Sequence, residues 1–503
     1  MTMRRGFYIS IIATALCAGT VFGASAQERY ETLVRHNAWN MGGGVAGLRL
    51  DDRSSSFAEV YAEKNNGSFK PSYASRDSWN FGAQLRSIYH LKRLSFTGGF
   101  GYDYMLGNRM CGSMFTRPGY YPVDILEFTP GRKILETYSF AGGISADMGH
   151  GILIGVAVDL SAQSYAKRKD LRHKNNALDF DVKPSLTWRF ADGGAIGVTY
   201  IFRKTSEQIS AGEYGISSEQ YYAFFDKGIG YGQRELWSGS GIHLKEAGVN
   251  GFPVRELTNG AMLQAQWKWL YADVAYRHAE GRTGEKHTIW HEFGSDAIDA
   301  HLGLAFDNAW FVRAAYGWYG QNNNENIMTP VTENGVTIMR KFGSNEIFSR
   351  RTTEASLEAE YYAERWNIIV GAEHERLNRL STLVYPQYRH HAMNATRIYA
   401  RSDVRFGAFE INIGLGGTFG DAKAAAGVTR EVDGAGDYPE QLTDYFMAET
   451  EWRTASRVNI NAGLRYNIRK FYVDLQGEYT RTFGVKALGR NRAMARLSAG
   501  YRF

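Results

Sequence analysis

The 503-residue chain has little cysteine, little proline and, after its first residues, no long apolar run. Of its two cysteines, Cys17 lies in the N-terminal apolar stretch, so an exported chain keeps Cys111 alone and can form no internal disulfide. Leu16 stands where a lipid-modified cysteine needs a small residue, which excludes a lipid anchor at Cys17. Beyond residue 26 no segment offers the roughly 20 apolar residues that a membrane-spanning helix needs. The formal charge of +6, less the two charges of Arg4 and Arg5, leaves +4. That is too little to attract nucleic acid, and none is expected as a partner.

What is present begins with an export signal. Arg4 and Arg5 precede an apolar run from Phe7 to Phe22, and Ala24-Ser25-Ala26 supplies the small residues of a cleavage site. Residues 1–26 therefore read as a signal peptide. Aromatics make up 14% of the chain and glycine contributes 56 residues, while mean hydropathy stays at −0.38. Strands with apolar residues at alternate positions produce this combination, because alternation dilutes any hydropathy window. The alternation itself is legible. Ile152, Ile154, Val156, Val158 and Leu160 oppose Leu153, Gly155, Ala157, Asp159 and Ser161. Val458, Ile460, Ala462, Leu464 and Tyr466 oppose Asn459, Asn461, Gly463, Arg465 and Asn467. A period of two places two different environments on the two faces of a strand.

Short turns such as Leu91-Lys92-Arg93, Gly149-His150-Gly151 and Arg469-Lys470 alternate with long connections at 105–131, 211–257, 322–349 and 422–455. Short turns on one side and long loops on the other are the plan of outer-membrane barrels. Eighteen strands are predicted, near 55–64, 77–90, 94–104, 132–148, 152–166, 177–190, 195–210, 258–267, 270–281, 295–306, 309–322, 350–362, 366–384, 392–406, 409–421, 456–468, 470–483 and 491–503, with 16 as the other count. Residues 439–454 are assigned to a helix in a long loop, because Leu442, Phe446 and Met447 share a helical face and another strand would break the even number. The chain ends on the stripe Leu497, Ala499, Tyr501 and Phe503. This stripe resembles the signal read by the outer-membrane assembly machinery. The expected fold is all-β: a transmembrane antiparallel β-barrel of residues 55–503, with short periplasmic turns and long extracellular loops.

Residues 27–54 do not alternate. They contain Asn37-Ala38-Trp39-Asn40-Met41, then Gly42-Gly43-Gly44-Val45-Ala46-Gly47-Leu48. The arrangement is similar to the Asn-containing, Ala-Gly-Leu segment of fatty-acid-transporter-like barrels, which tucks into the lumen before the first strand. Val45-Ala46-Gly47-Leu48, Phe57–Glu63, Gly67-Ser68-Phe69-Lys70 and Phe100-Gly101-Tyr102 resemble an uncharacterised Bacteroidota outer-membrane barrel family, a domain of unknown function. The first resemblance implies a luminal plug or gate at Asn37, Trp39, Asn40 and Gly47. Both imply an integral outer-membrane protein, and neither implies a substrate.

Three clusters are candidates for binding. The run Lys167-Arg168-Lys169-Asp170-Leu171-Arg172-His173-Lys174 sits between two strands. Lys167, Arg168 and Lys169 would attract anionic solutes or lipopolysaccharide phosphates, unless the run is simply solvated surface. Tyr221, Tyr222, Phe224, Phe225 and Trp237 lie in the glycine-rich connection 211–257. They would line a binding mouth, or else the loop packs on its own rings. His287, His291 and Glu292 would converge on a metal only if their segment were helical. No metal site and no cofactor is assigned. Arg465, Asp474, Glu478, Arg496 and Arg502 are expected to face a wetted lumen. Gly98-Gly99-Phe100-Gly101 lies in a strand with no helix after it, and no Gly-x-Ser-x-Gly elbow occurs, so an enzyme is not expected. The expected function is a passive channel or uptake barrel for a small or apolar solute. The rival is an interaction barrel whose long loops dock a surface lipoprotein or receptor. Outer-membrane lipid, lipopolysaccharide and the assembly machinery are the other expected partners.

Overall fold

The computed structural model describes residues 26–37, 39, 43–190, 193–213, 221–236, 253–285, 288–307, 309–363, 365–382, 389–425 and 440–503. The expected signal peptide up to residue 25, Asn40, Trp237 and His287 lie outside the described residues. Helix α1 (Ala26–His36) and a 3-10 turn (Ala46–Leu50) precede the first strand. The ring opens with β1 (Ser55–Gly67), β2 (Asp77–Leu91), β3 (Leu94–Ser113), β4 (Asp124–Gly149), β5 (Ile152–Lys167), β6 (Arg172–Phe190) and β7 (Gly194–Gly212). A small hairpin follows, β8 (Tyr222–Asp226) and β9 (Tyr231–Leu236). The ring resumes with β10 (Val254–Trp267), β11 (Leu270–Glu285), β12 (Thr288–Phe306), β13 (Trp310–Glu333) and β14 (Val336–Tyr362). Next come β15 (Trp366–Ser381), β16 (Arg389–Phe406) and β17 (Phe409–Ala425). After the two-residue β18 (Glu440–Gln441) and helix α2 (Thr443–Thr454), the chain finishes with β19 (Arg457–Ile468), β20 (Phe471–Thr482) and β21 (Asn491–Arg502).

Eighteen of these strands form one closed antiparallel barrel. β7 pairs with β10 and β17 with β19, so β8, β9 and β18 stand off the ring. β21 closes on β1 with Leu497 opposite Ala62 and Tyr501 opposite Ala58. The short turns need positive φ, and Lys92, Lys268 and Arg469 supply it, as two-residue hairpin turns require.

The two faces of the wall differ as the alternation predicts. Outward residues such as Leu263, Ile413 and Leu475 are 59%, 58% and 55% exposed. Inward Glu59, Arg465, Asp474 and Arg496 are buried. At the short-turn end the outer face carries aromatic rings: Trp269 on Phe306 at 5.1 Å, Trp310 on Tyr361 at 4.6 Å and Phe471 on Tyr501 at 4.7 Å. An apolar belt edged by an aromatic girdle is the surface a bilayer selects, because lipid-facing charges are costly and aromatic rings settle at the headgroup boundary. This is the transmembrane barrel expected from the sequence.

Each of the 18 predicted strands is present. Many run further at the long-loop end. Residues 322–349, expected as a loop, are mostly the extended β13–β14 hairpin, with Asn322 opposite Ser349 and Glu333 opposite Val336. Above the bilayer neither face needs apolar residues, so the alternation disappears while the ladder continues. The helix expected within 439–454 is present as α2.

Candidate functional site

The lumen is occupied at both ends. At the short-turn end α1 reaches from one wall to another. Tyr30 meets Phe57 edge-on at 5.6 Å, and Leu33 packs with Leu48 and Ile88. At the other end of α1, Arg35 Nη2 lies 2.7 Å from Glu358 Oε1, and His36 lies flat on Phe311 at 3.7 Å with Nε2 3.4 Å from Glu360. Arg313 binds the same two glutamates at 2.9 and 2.7 Å. The chain then returns along the wall. Trp39, only 1% exposed, packs with Ala195 and Tyr271 and donates its indole N–H to Gln266. Ala46 N donates to Ser185 Oγ at 3.0 Å, and Ser145 Oγ donates to the Ala46 carbonyl at 2.9 Å. Wall glycines make the room: a Cβ on Gly155 would lie 2.9 Å from Ala46 N, and one on Gly197 would lie 2.7 Å from the Trp39 ring. Asn37 is buried, its Oδ1 accepting the Trp39 N–H at 3.1 Å.

Gly47 lies under Trp39, and a Cβ there would sit 2.5 Å from the indole. Gly47→Val must therefore expel that ring. Trypsin cleavage after Arg35 and Arg49 in the detergent-solubilised barrel is expected to accelerate several-fold, with the wall strands still protected; an unchanged digestion rate would show that the segment is not wedged by this contact.

At the long-loop end residues 113–123 turn inward. Glu207 accepts the Thr116 N–H at 2.7 Å and its hydroxyl at 3.0 Å, and Tyr120 Oη donates to Glu256 at 2.6 Å. Arg117 pairs with Asp179 at 2.8 Å. Arg350 donates to the carbonyls of Gly119 and Tyr120 at 2.6 and 3.1 Å. The β8–β9 hairpin pairs with β4 through Ala223–Asp226, and β9 pairs with β18, which leads into α2. On α2, Glu449 is bound by Arg379 at 3.0 Å and by Arg453 at 3.1 Å, and Arg453 reaches Glu375 at 3.1 Å. Burial alone would raise the Glu449 carboxyl, but the two guanidiniums hold it well below the usual range.

Within this cap and the upper wall lies a cavity of about 530 Å³. Eight carboxylate side chains and five arginines line it, a formal excess of three negative charges. Seven tyrosines share the lining, among them Tyr61, Tyr104, Tyr121 and Tyr445. Among the described residues Tyr121 Oη and Asn80 Oδ1 are buried with no hydrogen-bond partner. Such a chamber offers ring faces, paired charges and open hydrogen-bonding positions, which suits a polar solute better than a hydrocarbon.

Asp226 holds the β8–β9 turn by accepting the N–H of Gly228 at 2.7 Å and of Gly230 at 3.2 Å. Burial pushes its carboxyl from 3.8 up to about 6, against those two N–H bonds and with Glu449 adding to the rise. A carboxyl raised on folding favours the protonated folded form, so its contribution is whole below the ordinary value and fades as pH climbs from about 4 through about 6. Amide exchange in residues 222–236 is therefore expected to quicken over that window once corrected for intrinsic chemistry. Asp226→Asn should flatten the effect, and a wild-type profile identical to the variant's would contradict it.

The structure redistributes the predicted site residues. Phe224 and Phe225 do not line a mouth: both are fully buried, and Phe225 packs with Ile125, Val254 and Trp290. Tyr221 rests against the same cluster and Tyr222 is exposed. In the described part of this connection Ala223–Phe225 are covered by β4 and by side chains of other strands, which buries the two phenylalanine rings. Lys167 is not a loop cation either. It is buried on Glu127, which Lys133 also binds at 2.9 Å, while Arg168 and Lys169 remain exposed. His291 is buried beside Phe225, whereas Glu292 faces out to Lys341, since the segment is a strand and neighbours point apart. Trp39 and Gly47 do come together inside the lumen. Leu497 and Phe503 face outward, 54% and 66% exposed. The inward segment 113–123 escaped sequence reading. Its one signal is Arg117-Pro118-Gly119-Tyr120-Tyr121-Pro122, a rigid aromatic turn within a connection.

Comparison with known proteins adds a family. A model described as a family of unknown function (DUF6850) matches residues 45–503. No curated protein matches the chain. Among solved structures, the chain is similar to the ferric preacinetobactin receptor BauA of Acinetobacter baumannii, at 6% identity over 89% of this chain and 81% of that one, with a TM-score of 0.43. It is similar to the FrpB iron transporter of Neisseria meningitidis at 9% identity over 90% and 82%, with a TM-score of 0.44. The toluene transporter TodX of Pseudomonas putida matches at 12% identity over 91% of each chain, with a TM-score of 0.30. Likenesses this remote carry no cargo across.

Proposed function

This chain belongs to DUF6850, a family whose function is unknown, and we propose that it is an outer-membrane barrel for passive uptake of a small polar solute. The observation that carries this reading is the polar chamber of about 530 Å³ inside the lumen, between the inward cap and the wall. An 18-stranded ring is wide enough to pass solutes unless filled, and here the described residues of 26–50, together with 113–123, fill parts of it. The apolar belt and aromatic girdle support membrane insertion, with the short turns, the start of β1 and the end of β21 at the periplasmic rim. The lining favours a polar solute over the apolar one that the sequence also allowed. Its carboxylate excess supports a preference for cations.

Liposome swelling tests this. Neutral sugars and cationic amino acids are expected to enter faster than anionic amino acids of equal size, and added salt should narrow the gap. No swelling with any solute, in the full chain and in a variant lacking residues 28–52, would sink the proposal.

A second reading has one observation in its favour. Phe342, on the projecting β14 segment, is 84% exposed. An apolar ring held so far out suits docking of a surface lipoprotein or receptor. Stoichiometric recovery of one such protein with the wild type, and its loss with Phe342→Ser, would favour that reading.

A further inference from the structure

The inward carboxylates of β14 and β15 continue past the chamber toward the short-turn end. Glu354 and Glu375 both line the chamber and stand directly opposite each other in the ladder. Like charges in register repel unless cations lie among them, and Arg453 reaches Glu375 at 3.1 Å. Glu373, two residues nearer the short turns on the same face, is bound by Arg397 at 3.4 Å. On β14 Glu358 and Glu360 follow Glu354 at even spacing, and both are buried on the inner face. Glu354 and Glu358 are about 13 Å apart along the strand, at about 3.3 Å per residue.

The last two carboxylates take one cation from the wall and one from outside it. Arg313 of β13 lies 2.9 Å from Glu358 and 2.7 Å from Glu360. Arg35 belongs to α1, and its Nη2 lies 2.7 Å from Glu358 while its Nε lies 3.5 Å from Glu360. One guanidinium thus spans both acids, which a planar fork does and a point charge does not. His36 beside it lies on Phe311 within 8° of parallel, and meets Tyr362 edge-on at 5.1 Å. Tyr399 Oη donates to Glu358 at 2.8 Å, and Arg397, which lies over the Tyr399 ring, is taken up by Glu373. With α1 seated, two guanidiniums face two carboxylates. With α1 withdrawn, Arg313 alone faces both, and one formal negative charge is left over. A carboxylate stripped of its cation in so enclosed a place is costly, so the emptied seat favours a replacement.

We propose that Arg35 is an internal stand-in for the cargo: it fills the seat of a guanidinium-bearing solute at the short-turn end, and such a solute opens the barrel by displacing it. The inference rests on the uptake reading above, whose substrate class and gate it names. A guanidinium entering the chamber meets the Glu354–Glu375 pair first and the Glu358–Glu360 pair next. There it finds two carboxylates spaced for a planar fork, and the Phe311 face that His36 has left is open for stacking. An ammonium brings the charge without the fork, and a urea group brings the shape without the charge. L-Lysine and L-citrulline are therefore the controls for L-arginine.

Entry of labelled sucrose into proteoliposomes holding the whole barrel, at matched ionic strength, reads the gate. L-Arginine is expected to speed sucrose entry through the wild type about fivefold, L-lysine less than half as much and L-citrulline not at all. R35Q alters no wall strand; it should admit sucrose about as fast as the arginine-opened wild type, and arginine should add nothing. E360Q removes the one charge in excess and leaves Arg313 its partner Glu358. Two guanidiniums then share one carboxylate, so this variant should also admit sucrose without arginine. A heat-modifiable gel shift confirms that both variants are folded barrels. No acceleration of the wild type by arginine, equal acceleration by all three amino acids, or undiminished acceleration in R35Q overturns the proposal. So does slow entry in R35Q beside fast entry after deletion of residues 28–52, which would place the closure elsewhere in the segment. No sucrose entry into any of these barrels would instead count against the uptake reading.

Discussion

Deleting residues 28–52 is expected to raise the single-channel conductance of the reconstituted barrel by about an order of magnitude, because an 18-strand ring is wide enough to conduct once its filling is removed. The deleted segment is an insert and not part of the wall. Its contacts run from Arg35 with Glu358, through Trp39 with Gln266, to Ala46 with Ser185 and Arg49 with the Lys92 carbonyl. The wall it leaves behind stays paired, since Arg313 still binds both Glu358 and Glu360. No ladder hydrogen bond of β1 or β21 is lost, as their pairing begins at Ser55 and Phe57. The deletion should therefore insert and fold while conducting more. An unchanged conductance would mean that the constriction lies in the cap at 113–123 alone.

Asp474→Ala is expected to destabilise the barrel by about 3–5 kcal/mol, the cost of leaving a buried charge unpaired. Arg465 Nη2 lies 2.9 Å from Asp474 Oδ2, and both side chains are fully buried. The guanidinium also lies over the Tyr472 ring at 4.2 Å, which cannot neutralise it. Guanidinium unfolding in detergent, followed by tryptophan fluorescence, reads the loss. Replacing both partners, Arg465→Met with Asp474→Leu, should restore most of it, because the penalty comes from the orphaned charge. Asp77→Ala serves as the contrast. Its partner Lys64 is on the rim and Asp77 is 44% exposed, so the change should cost under about 1 kcal/mol. Comparable losses for the two variants would show that the luminal pair is solvated.

The barrel was legible because two solvents imprint a period of two. Ile411, Ile413 and Leu415 could face only lipid, and Arg465 and Asp474 only the interior. The strand ends above the membrane were not legible, since Asn322, Asn323 and Asn324 satisfy a ladder without any apolar face. The stretch 27–54 was legible as a segment apart from the strands, by its failure to alternate. Its mode of seating was not, because Gly155 and Gly197 read as ordinary strand glycines until Ala46 and Trp39 are placed against them. The cap was only half legible for a related reason. Phe224 and Phe225 look like exposed loop aromatics, and only pairing with β4 over the lumen buries them. Lys167 belonged to a basic run whose sequence gives no sign of Glu127, 40 positions away. Long-range partners decide these sites, and one sequence does not reveal them.

In the proposed uptake path the polar chamber between the inward cap and the wall is entered past that cap from one side and past the N-terminal segment from the other. Side-specific thiol labelling at Gln163→Cys, a chamber-lining position, in a Cys111→Ser background measures that directly. With the full chain in proteoliposomes, a small cationic thiosulfonate should react slowly and an anionic one of the same size more slowly still. Deleting residues 28–52 should speed both by about tenfold or more when the reagent enters from the short-turn side. Equal, fast labelling before and after the deletion, matching a cysteine placed on the outer rim, would contradict the account.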